Sequence, residues 1–397
     1  MSAWPSIHGS AEDLLKEARR STGIDMIDFE AEVPLSILID SYNRQARFTE
    51  AGAVMKRNYL LRILKNRLRM QRDLAAHPGI LDIELRPPLL INALARTGST
   101  KMQKTLAATG DFNYLPYWMC MNSASETGVP NESTVNRIAE VQQYSDWFND
   151  ASPEVRFGHD MSALEPEEEA YILMQSLYAA TLAGFATATD YVDWLSTQDQ
   201  GCQYRYLRDT LKYLIWQGLA DPNKPFLLKC VANLGLETEI VNAFSESGIH
   251  IAMMHRDPLS VVPSASRLGL LFRRAYSAVD TDMSGRPGRM AGQMMRSLRY
   301  RQGHPETPFY DISYDKVRSE LPSVIDGLYA FCGLVPSEQT YVNVARWEAD
   351  NPKNKQGAWS YAAEAFGFNN HDIQREFADY YAWIEAEGIC EWGNQQG

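Results

Sequence analysis

The sequence lacks the apolar runs of a membrane protein, because it contains no stretch of about 18 or more apolar residues. Its first residues do not form a charged leader followed by an apolar stretch, which argues against a secretory signal. Cysteine is scarce: the five present are odd in number and scattered, and no Cys/His cluster has the spacing of a zinc site. These absences predict a cytoplasmic protein with reduced thiols and no bound metal.

Basic side chains are in the minority, with 38 Lys and Arg against 50 Asp and Glu and a formal net charge of −12. This balance argues against general nucleic-acid binding. It does not exclude an anionic ligand, because the nearest groups set the field in a pocket. One cation at about 4 Å contributes roughly 4 kcal/mol of attraction at an effective dielectric constant of about 20. Apolar residues are plentiful, at 45 % of the 397 residues, and can supply a large core.

Helices are predicted ahead of the first strand. Ser10 and Asp13 have the spacing of a capping box, and the helix that they open is expected to end near Gly23. Residues 34–48 and 51–76 are also predicted to be helical. The second of these helices is basic and amphipathic, a pattern shared with helices that bind membranes or nucleic acids. We predict instead that its charges form a solvated face over an apolar stripe.

From about residue 87 the sequence alternates between strand and helix patterns, which is typical of a parallel sheet with crossover helices. Strands are predicted at 88–94, 226–230, 249–255 and 308–313. Helices are predicted at 258–271, at 289–302, at 321–333 and from about 371.

The predicted fold class is therefore α/β, a parallel sheet with flanking helices. An N-terminal helical segment, 1–86, is expected to pack on the core of an α/β domain, 87–397. A helical insertion is expected at about 130–218 within that domain. With no internal repeat and no low-complexity linker, the whole is predicted to form a single compact unit.

Two of the predicted strands end in the same way. The first runs into Arg96-Thr97-Gly98-Ser99-Thr100-Lys101 and then a helix, and the third runs into Arg256-Asp257-Pro258 and then a helix. A helix N-terminus presents unpaired N–H groups and the positive end of the helix dipole, so each junction is a candidate anion site. Two such sites in one α/β domain predict a ligand with phosphates at both ends.

The order of these motifs resembles that of sulfotransferases that use 3′-phosphoadenosine 5′-phosphosulfate, in particular a bacterial family. The resemblance rests on R-[ST]-G-[ST]-[ST] at Arg96 to Thr100, on R-D-P-x-x-V-x-x-S from Arg256 to Ser264, and on N-P-x-x-K-x-G-x-x-x-Y from Asn351 to Tyr361. It implies a P-loop-like sulfotransferase fold. It also implies the phosphosulfate as co-substrate, a small hydroxyl compound as acceptor and no bridging metal.

The resemblance also implies roles for individual residues. Arg96 and Lys229 would stabilise the charge that develops as the sulfuryl group moves. The loop residues Thr97, Gly98, Ser99, Thr100 and Lys101 would hold the 5′ end of the donor. Its 3′-phosphate would be bound by Arg256 and Ser264 and covered by Lys355 and Gly357. The chain departs from the family pattern at Ala95, Asn233 and Trp359, where many members have Pro, His and His.

A transfer to a hydroxyl group needs a base. Asn233 cannot serve, so the candidates are Glu168 and Glu169, followed by His159. The acidic run at 165–169 is also compatible with an ordinary helix start in which Pro166 takes an early helical position. Aromatic residues at 112–118 and 171–216 would suit a flat or lipophilic acceptor, although their helical spacing favours burial in the core.

Two other functions remain open at this point. A P-loop kinase would need Gly, four residues and then Gly-Lys-[Ser/Thr], whereas Ala93 stands five before Gly98 and Ser99 follows it. A non-catalytic nucleotide-binding module is suggested by Asn233 and Trp359. Association into a homodimer is compatible with the resemblance, and no membrane span or nucleic-acid partner is expected.

Overall fold

The computed structural model describes residues 4–26, 29–159, 161–351, 362–390 and 392. The strands are β1 (Leu89–Ala93), β2 (Asn113–Tyr114), β3 (Phe226–Lys229), β4 (His250–His255) and β5 (Phe309–Ser313). The α-helices are α1 (Ala11–Thr22), α2 (Phe29–Gln45), α3 (Glu50–Ala76), α4 (Ser99–Thr109), α5 (Tyr117–Met121), α6 (Val135–Ala151), α7 (Ala170–Gln175), α8 (Leu182–Phe185), α9 (Thr189–Leu195), α10 (Gly201–Trp216), α11 (Glu237–Ala243), α12 (Pro258–Arg274), α13 (Arg286–Gly303), α14 (Tyr314–Ser319), α15 (Leu321–Phe331), α16 (Glu338–Asp350), α17 (Asn370–Glu376) and α18 (Ala378–Glu387). Short 3₁₀ helices occur at Pro78–Asp82, Pro153–Phe157, Val231–Asn233 and Ala363–Phe366.

Two compact units are built from interleaved segments of the chain. The first draws on the described residues of 1–85, 115–223 and 269–281, and the second on those of 86–114, 224–268 and 282–397. The first unit is helical, and the second contains the sheet. The division into an N-terminal segment and an α/β domain with an insertion stays a prediction.

The sheet of the second unit has the strand order β2-β3-β1-β4-β5, and all its neighbours pair in parallel. All five residues of β1 are buried, because helices cover both faces of a parallel sheet. The predicted α/β class is confirmed, and each of the four predicted strands is present. The edge strand β2 escaped prediction because two residues are too short to show a period.

The first unit begins with the predicted capping box. The Ser10 hydroxyl accepts from the Asp13 N–H at 3.2 Å, and the Asp13 carboxylate accepts from the Ser10 N–H at 2.9 Å. Gly23 ends α1 in the left-handed conformation, at φ 67°. The helix ends where the sequence predicted because both of its caps are encoded locally.

The prediction of a solvated basic face on α3 is wrong at two of its basic residues. Lys56 is 2 % exposed and Arg67 is 5 % exposed. The Lys56 ammonium lies 4.0 Å from the centre of the Tyr276 ring, and Arg67 donates to the Gln175 carbonyl at 3.1 Å. Other elements pack on more than one side of this helix. Aromatic rings and backbone carbonyls therefore stabilise charges that water would otherwise solvate.

The expected helix start at Pro166 is also wrong, since α7 begins at Ala170. Pro166 instead forms an antiparallel bridge with Pro116. The flanking Tyr117 N–H donates to the Glu165 carbonyl at 2.9 Å, and this extended pairing is incompatible with a helical turn.

No helix in the described ranges is long and apolar enough to cross a membrane. All five cysteines are described, and all are free thiols. The described part of the chain contains no group of three or more His, Cys, Asp and Glu residues arranged to hold a metal ion.

Candidate functional site

The loop that follows β1 is shaped by two residues in the left-handed region. Arg96 has φ 73° and Gly98 has φ 90°. The Thr97 hydroxyl donates to the Leu94 carbonyl at 2.9 Å and closes the turn. Gly98 then serves as the N-cap of α4 and provides no side-chain hydrogen bond to it. The first N–H groups of α4 therefore point out of a tight turn, which is a favourable arrangement for an anion.

A side chain at Gly98 would be obstructed. A Cβ atom there would lie 2.6 Å from a ring carbon of Tyr314, and the positive φ already disfavours any residue but glycine. The glycine thus lets the Tyr314 ring lie directly against the loop.

The end of β4 is joined to this loop. Arg256 donates to the Arg96 carbonyl at 2.9 Å, and its guanidinium lies 4.2 Å from the centre of the Tyr314 ring. Neither contact neutralises its charge. The Arg96 side chain donates in turn to the Ser264 hydroxyl at 3.1 Å, and Ser264 is 4 % exposed. Arg96, Arg256 and Ser264 therefore form one connected group.

Lys229 adds a third strand end to the group. It is the last residue of β3 and is 3 % exposed, and its ammonium donates to the Thr100 hydroxyl at 3.2 Å. Because β1 lies between β3 and β4, their carboxyl ends meet at the same edge of the sheet. In the strand order, β2 and β3 lie to one side of β1, and β4 and β5 lie to the other. Ligands of α/β proteins bind where the strand order reverses in this way.

A histidine–carboxylate pair lies in the first unit. His159 Nε2 is 2.7 Å from Glu167 Oε2, and both side chains are largely buried. The Phe272 ring packs nearly perpendicular to the imidazole, with 5.6 Å between centroids. With Nε2 donating to the carboxylate, Nδ1 carries the lone pair, and such a pair can accept a proton.

The other two carboxylates of this run have different surroundings. The Glu168 N–H donates to Glu167 Oε1 at 2.8 Å, and the Glu168 residue is half-buried. Glu169 is fully buried at the start of α7, where its carbonyl accepts the first helical hydrogen bonds.

A comparison with models of known protein families identifies the family. A model of the sulfotransferase family matches residues 87–338, which is more than half of the chain. The chain belongs to the sulfotransferase family. It is thus a sulfotransferase enzyme, and the phosphoryl-transfer and non-catalytic alternatives lose their support.

Solved structures show the same fold. The crystal structure of sulfotransferase STF9 from Mycobacterium avium matches with a TM-score of 0.81 and 21 % identity, over 97 % of this chain and 98 % of that one. Sulfotransferase STF1 from Mycobacterium tuberculosis H37Rv matches with a TM-score of 0.75 and 22 % identity, over 94 % of this chain and 100 % of that one. No curated protein matches the chain.

The predicted donor residues of the sulfotransferase fall into three sets. Arg96, Lys229, Arg256, Ser264 and the loop Thr97–Thr100 lie together at the sheet edge. Lys101 forms an ion pair with Glu348 of α16 at 2.8 Å, and its role stays a prediction. Lys355 and Gly357 lie outside the described residues.

Two residues of the candidate site escaped the sequence prediction. Tyr314 follows β5 directly, as Arg256 follows β4, so its position at a strand end was the available signal. Glu167 belongs to the acidic run at 165–169. Only the fold brings it to His159, because the intervening segment includes a turn that no motif marks.

Proposed function

We propose that this sulfotransferase moves a sulfuryl group from 3′-phosphoadenosine 5′-phosphosulfate to a hydroxyl group of a small lipophilic or aromatic acceptor. The observation that supports it best is the connected group at the sheet edge. Two strand-end arginines and Ser264 are linked by hydrogen bonds of 2.9 and 3.1 Å, beside an uncapped helix N-terminus. A donor with phosphates at its 5′ and 3′ ends matches two such neighbouring anion sites.

The residues at the end of β1 would bind the 5′ end of this donor. The N–H groups at the start of α4 and the hydroxyl groups of Ser99 and Thr100 are hydrogen-bond donors suited to phosphate oxygens. Arg96 supplies a planar guanidinium, which binds oxyanions with two parallel N–H groups. These donors need no metal ion to hold the phosphate.

Arg96 and Lys229 would lower the barrier to transfer. In the reaction the bond between sulfur and the phosphate oxygen breaks, a bond from sulfur to the acceptor oxygen forms, and the acceptor proton passes to a base. Negative charge grows on the phosphate oxygen that leaves, and fixed cations there stabilise it. Removal of one such group commonly costs about 3–4 kcal/mol of transition-state stabilisation. The buried Lys229 is held by the Thr100 hydroxyl at 3.2 Å and would not need to reorient.

The proton would go to His159, held by Glu167. The carboxylate fixes the orientation of the imidazole through the 2.7 Å contact and stabilises the imidazolium that forms. Glu168 and Glu169 remain the alternative bases. The fully buried position of Glu169 makes it the weaker of the two, because an acceptor must reach the base.

The 3′-phosphate separates this proposal from other nucleotide chemistry, and Arg256 is the residue to test. Titration calorimetry would compare 3′,5′-bisphosphoadenosine with 5′-AMP on the wild type and on Arg256→Ala. We expect the variant to bind the bisphosphate about 10- to 100-fold more weakly, since a hydrogen bond to a charged group contributes about 1.5–3 kcal/mol. Its affinity for 5′-AMP should change little.

The exposed Arg299 on α13 provides the matched control, because Arg299→Ala removes the same charge from a solvated position. It should bind both nucleotides as the wild type does. Equal losses for the two nucleotides in Arg256→Ala would contradict the assignment of the 3′-phosphate. A wild type that prefers ADP with magnesium to the bisphosphate would contradict the proposed donor itself.

A further inference from the structure

The residues on either side of Arg256 both form hydrogen bonds with tyrosine side chains of α18. His255 Nδ1 lies 2.8 Å from the Tyr380 hydroxyl, and the Tyr381 hydroxyl donates to Asp257 Oδ1 at 2.7 Å. The neighbours of Arg256 on both sides are thus hydrogen-bonded to α18, while its own guanidinium donates to the Arg96 carbonyl.

The His255 ring is constrained at both of its nitrogen atoms. His255 is fully buried, and its other ring nitrogen lies 2.9 Å from Asp311 Oδ1. Arg301 donates to both oxygens of Asp311, at 2.7 and 2.6 Å. Burial would raise the pKa of Asp311, but the hydrogen bonds from His255 and Arg301 outweigh it and lower the pKa to about 2. The chain from Arg301 to Tyr380 is thus a fixed, charge-assisted network.

The hydrogen bond to Asp257 links Tyr381 to helix α12, which carries Ser264, the second candidate for binding the 3′-phosphate. Asp257 Oδ1 also accepts from the Leu259 N–H at 3.0 Å, so it caps the first turn of α12. Ser264 lies on that helix. A change at Tyr381 therefore acts on the entry angle of α12 as well as on the backbone of Arg256.

Aromatic packing fixes α18 where these bonds need it. Trp383 packs on the His255 ring at 5.7 Å and on the Arg301 guanidinium at 5.1 Å. Trp392 covers both tyrosines, with centroid distances of 5.7 Å to Tyr380 and 6.0 Å to Tyr381. Phenylalanine at 380 and 381 would keep this packing, and what the two hydroxyl groups add to it is the hydrogen bonds with His255 and Asp257.

We propose that Tyr380 and Tyr381 of α18 are positioning residues that hold Arg256 and the start of α12 in the geometry required for a 3′-phosphate. The proposal rests on the proposed function, since it deepens the assignment of Arg256. It makes the C-terminal helix a determinant of the preference for a 3′-phosphorylated nucleotide, although neither tyrosine need touch that nucleotide.

The test uses hydroxyl deletions that keep the rings: Tyr381→Phe, Tyr380→Phe and the double variant. Calorimetry would give the affinity for 3′,5′-bisphosphoadenosine and for 5′-AMP, and hence their ratio. We expect Tyr381→Phe to lose roughly three- to tenfold in affinity for the bisphosphate with little change for 5′-AMP. The double variant should lose more. Tyr341→Phe, which removes a hydroxyl bonded to Asp326 elsewhere in the same unit, is the control and should leave both affinities unchanged.

A double-mutant cycle separates positioning from general destabilisation. In an Arg256→Ala background, Tyr381→Phe should weaken bisphosphate binding less than it does in the wild type, because one of the groups that it positions is gone. Additive losses, or equal losses for both nucleotides, would overturn the proposal. Tyr381 is half-buried, so its variant provides this test even if Tyr380→Phe does not fold. If the wild type itself shows no preference for the bisphosphate, the proposed function fails together with this inference. If the wild type prefers the bisphosphate and the tyrosine variants keep that preference, the proposed function stands and this inference is wrong.

Discussion

At the scale of single residues, the donor loop depends on backbone conformations that side chains disfavour. Arg96 adopts a left-handed φ of 73°, which costs a residue with a Cβ about 1–2 kcal/mol. In this conformation the Arg96 carbonyl accepts from Arg256 while its own side chain reaches Ser264. Strain of this kind persists where the surroundings over-determine it, and it is common at functional sites.

Gly98 provides the sharpest test of this loop. Gly98→Ala would place a Cβ 2.6 Å from the Tyr314 ring, and Tyr314 also packs on Arg256. We expect bisphosphate binding to weaken by about 10-fold or more, which corresponds to about 1.4 kcal/mol, since the displaced ring would no longer support Arg256. Gly110→Ala is the matched control, because Gly110 has φ 82° at the other end of α4 and open space around it. It should lose stability but keep binding. Equal loss of binding in both variants would contradict a role for the contact with Tyr314.

The base is a second prediction at the residue scale. A positioned general base contributes roughly 10²–10⁴ to a rate. We therefore expect His159→Gln to lower kcat at least about 100-fold with the best acceptor from a panel of phenols and alcohols. Bisphosphate affinity should be unchanged, because His159 has no part in donor binding.

Glu167→Gln should lower kcat less, because it removes the partner of the imidazole and keeps the imidazole itself. The parallel variants Glu168→Gln and Glu169→Gln decide between the candidates. If one of them falls further in kcat than His159→Gln, that carboxylate is the base and the assignment to His159 is wrong.

At the scale of elements, local signals predicted best. The residues next to helix α1 encode both of its caps. Asp257 precedes Pro258 and marks the start of α12 in the same way. Strands β1, β3 and β4 are short apolar runs, and they were found at the predicted places. Lys229 ends β3, and Arg96 and Arg256 follow β1 and β4. These three residues could be expected to lie close together because parallel strands end at one edge of a sheet.

Elements that depend on distant partners were predicted poorly. Strand β2 has two residues and exists because β3 pairs with it. The segment around Pro166 is extended because the Leu115 carbonyl accepts the Glu167 N–H at 2.9 Å. The buried charges of α3 find their partners on other elements, such as the Gln175 carbonyl. None of these partners lies within one helical turn in the sequence, so periodicity could not reveal them.

Helix α1 allows a quantitative test at this scale. Ser10→Ala removes one half of the capping box, and the expected cost is about 0.5–2 kcal/mol. Hydrogen exchange of the α1 amides should detect it as faster exchange in the first turns. Ser10→Asp keeps an acceptor at the N-cap and should restore protection. An unchanged exchange rate in Ser10→Ala would mean that packing rather than the cap holds this helix end.

At the scale of the whole molecule, the net charge of −12 conceals where the positive charges lie. In the second unit, Arg96, Lys229 and Arg256 are grouped at one edge of the sheet. In the first unit, Lys56 is enclosed by rings from Tyr42, Tyr59, Phe185 and Tyr276, which come from widely separated parts of the chain. The charge balance therefore argues against a general polyanion partner but says nothing of a local anion site.

Lys56 makes the stability of the molecule depend on pH. Burial disfavours its ammonium and lowers its pKa from 10.5 to about 7. Between these values the unfolded chain binds more protons than the folded one, so this group makes the free energy of unfolding rise with pH. In urea titrations Lys56→Met should be more stable than the wild type at pH 7, and the difference should shrink by about 2 kcal/mol by pH 9. Lys65→Met, on the same helix but half-exposed, should keep a constant difference from the wild type. If the Lys56→Met difference is also constant over this range, the four rings hold the ammonium charged throughout and the lowered pKa is wrong.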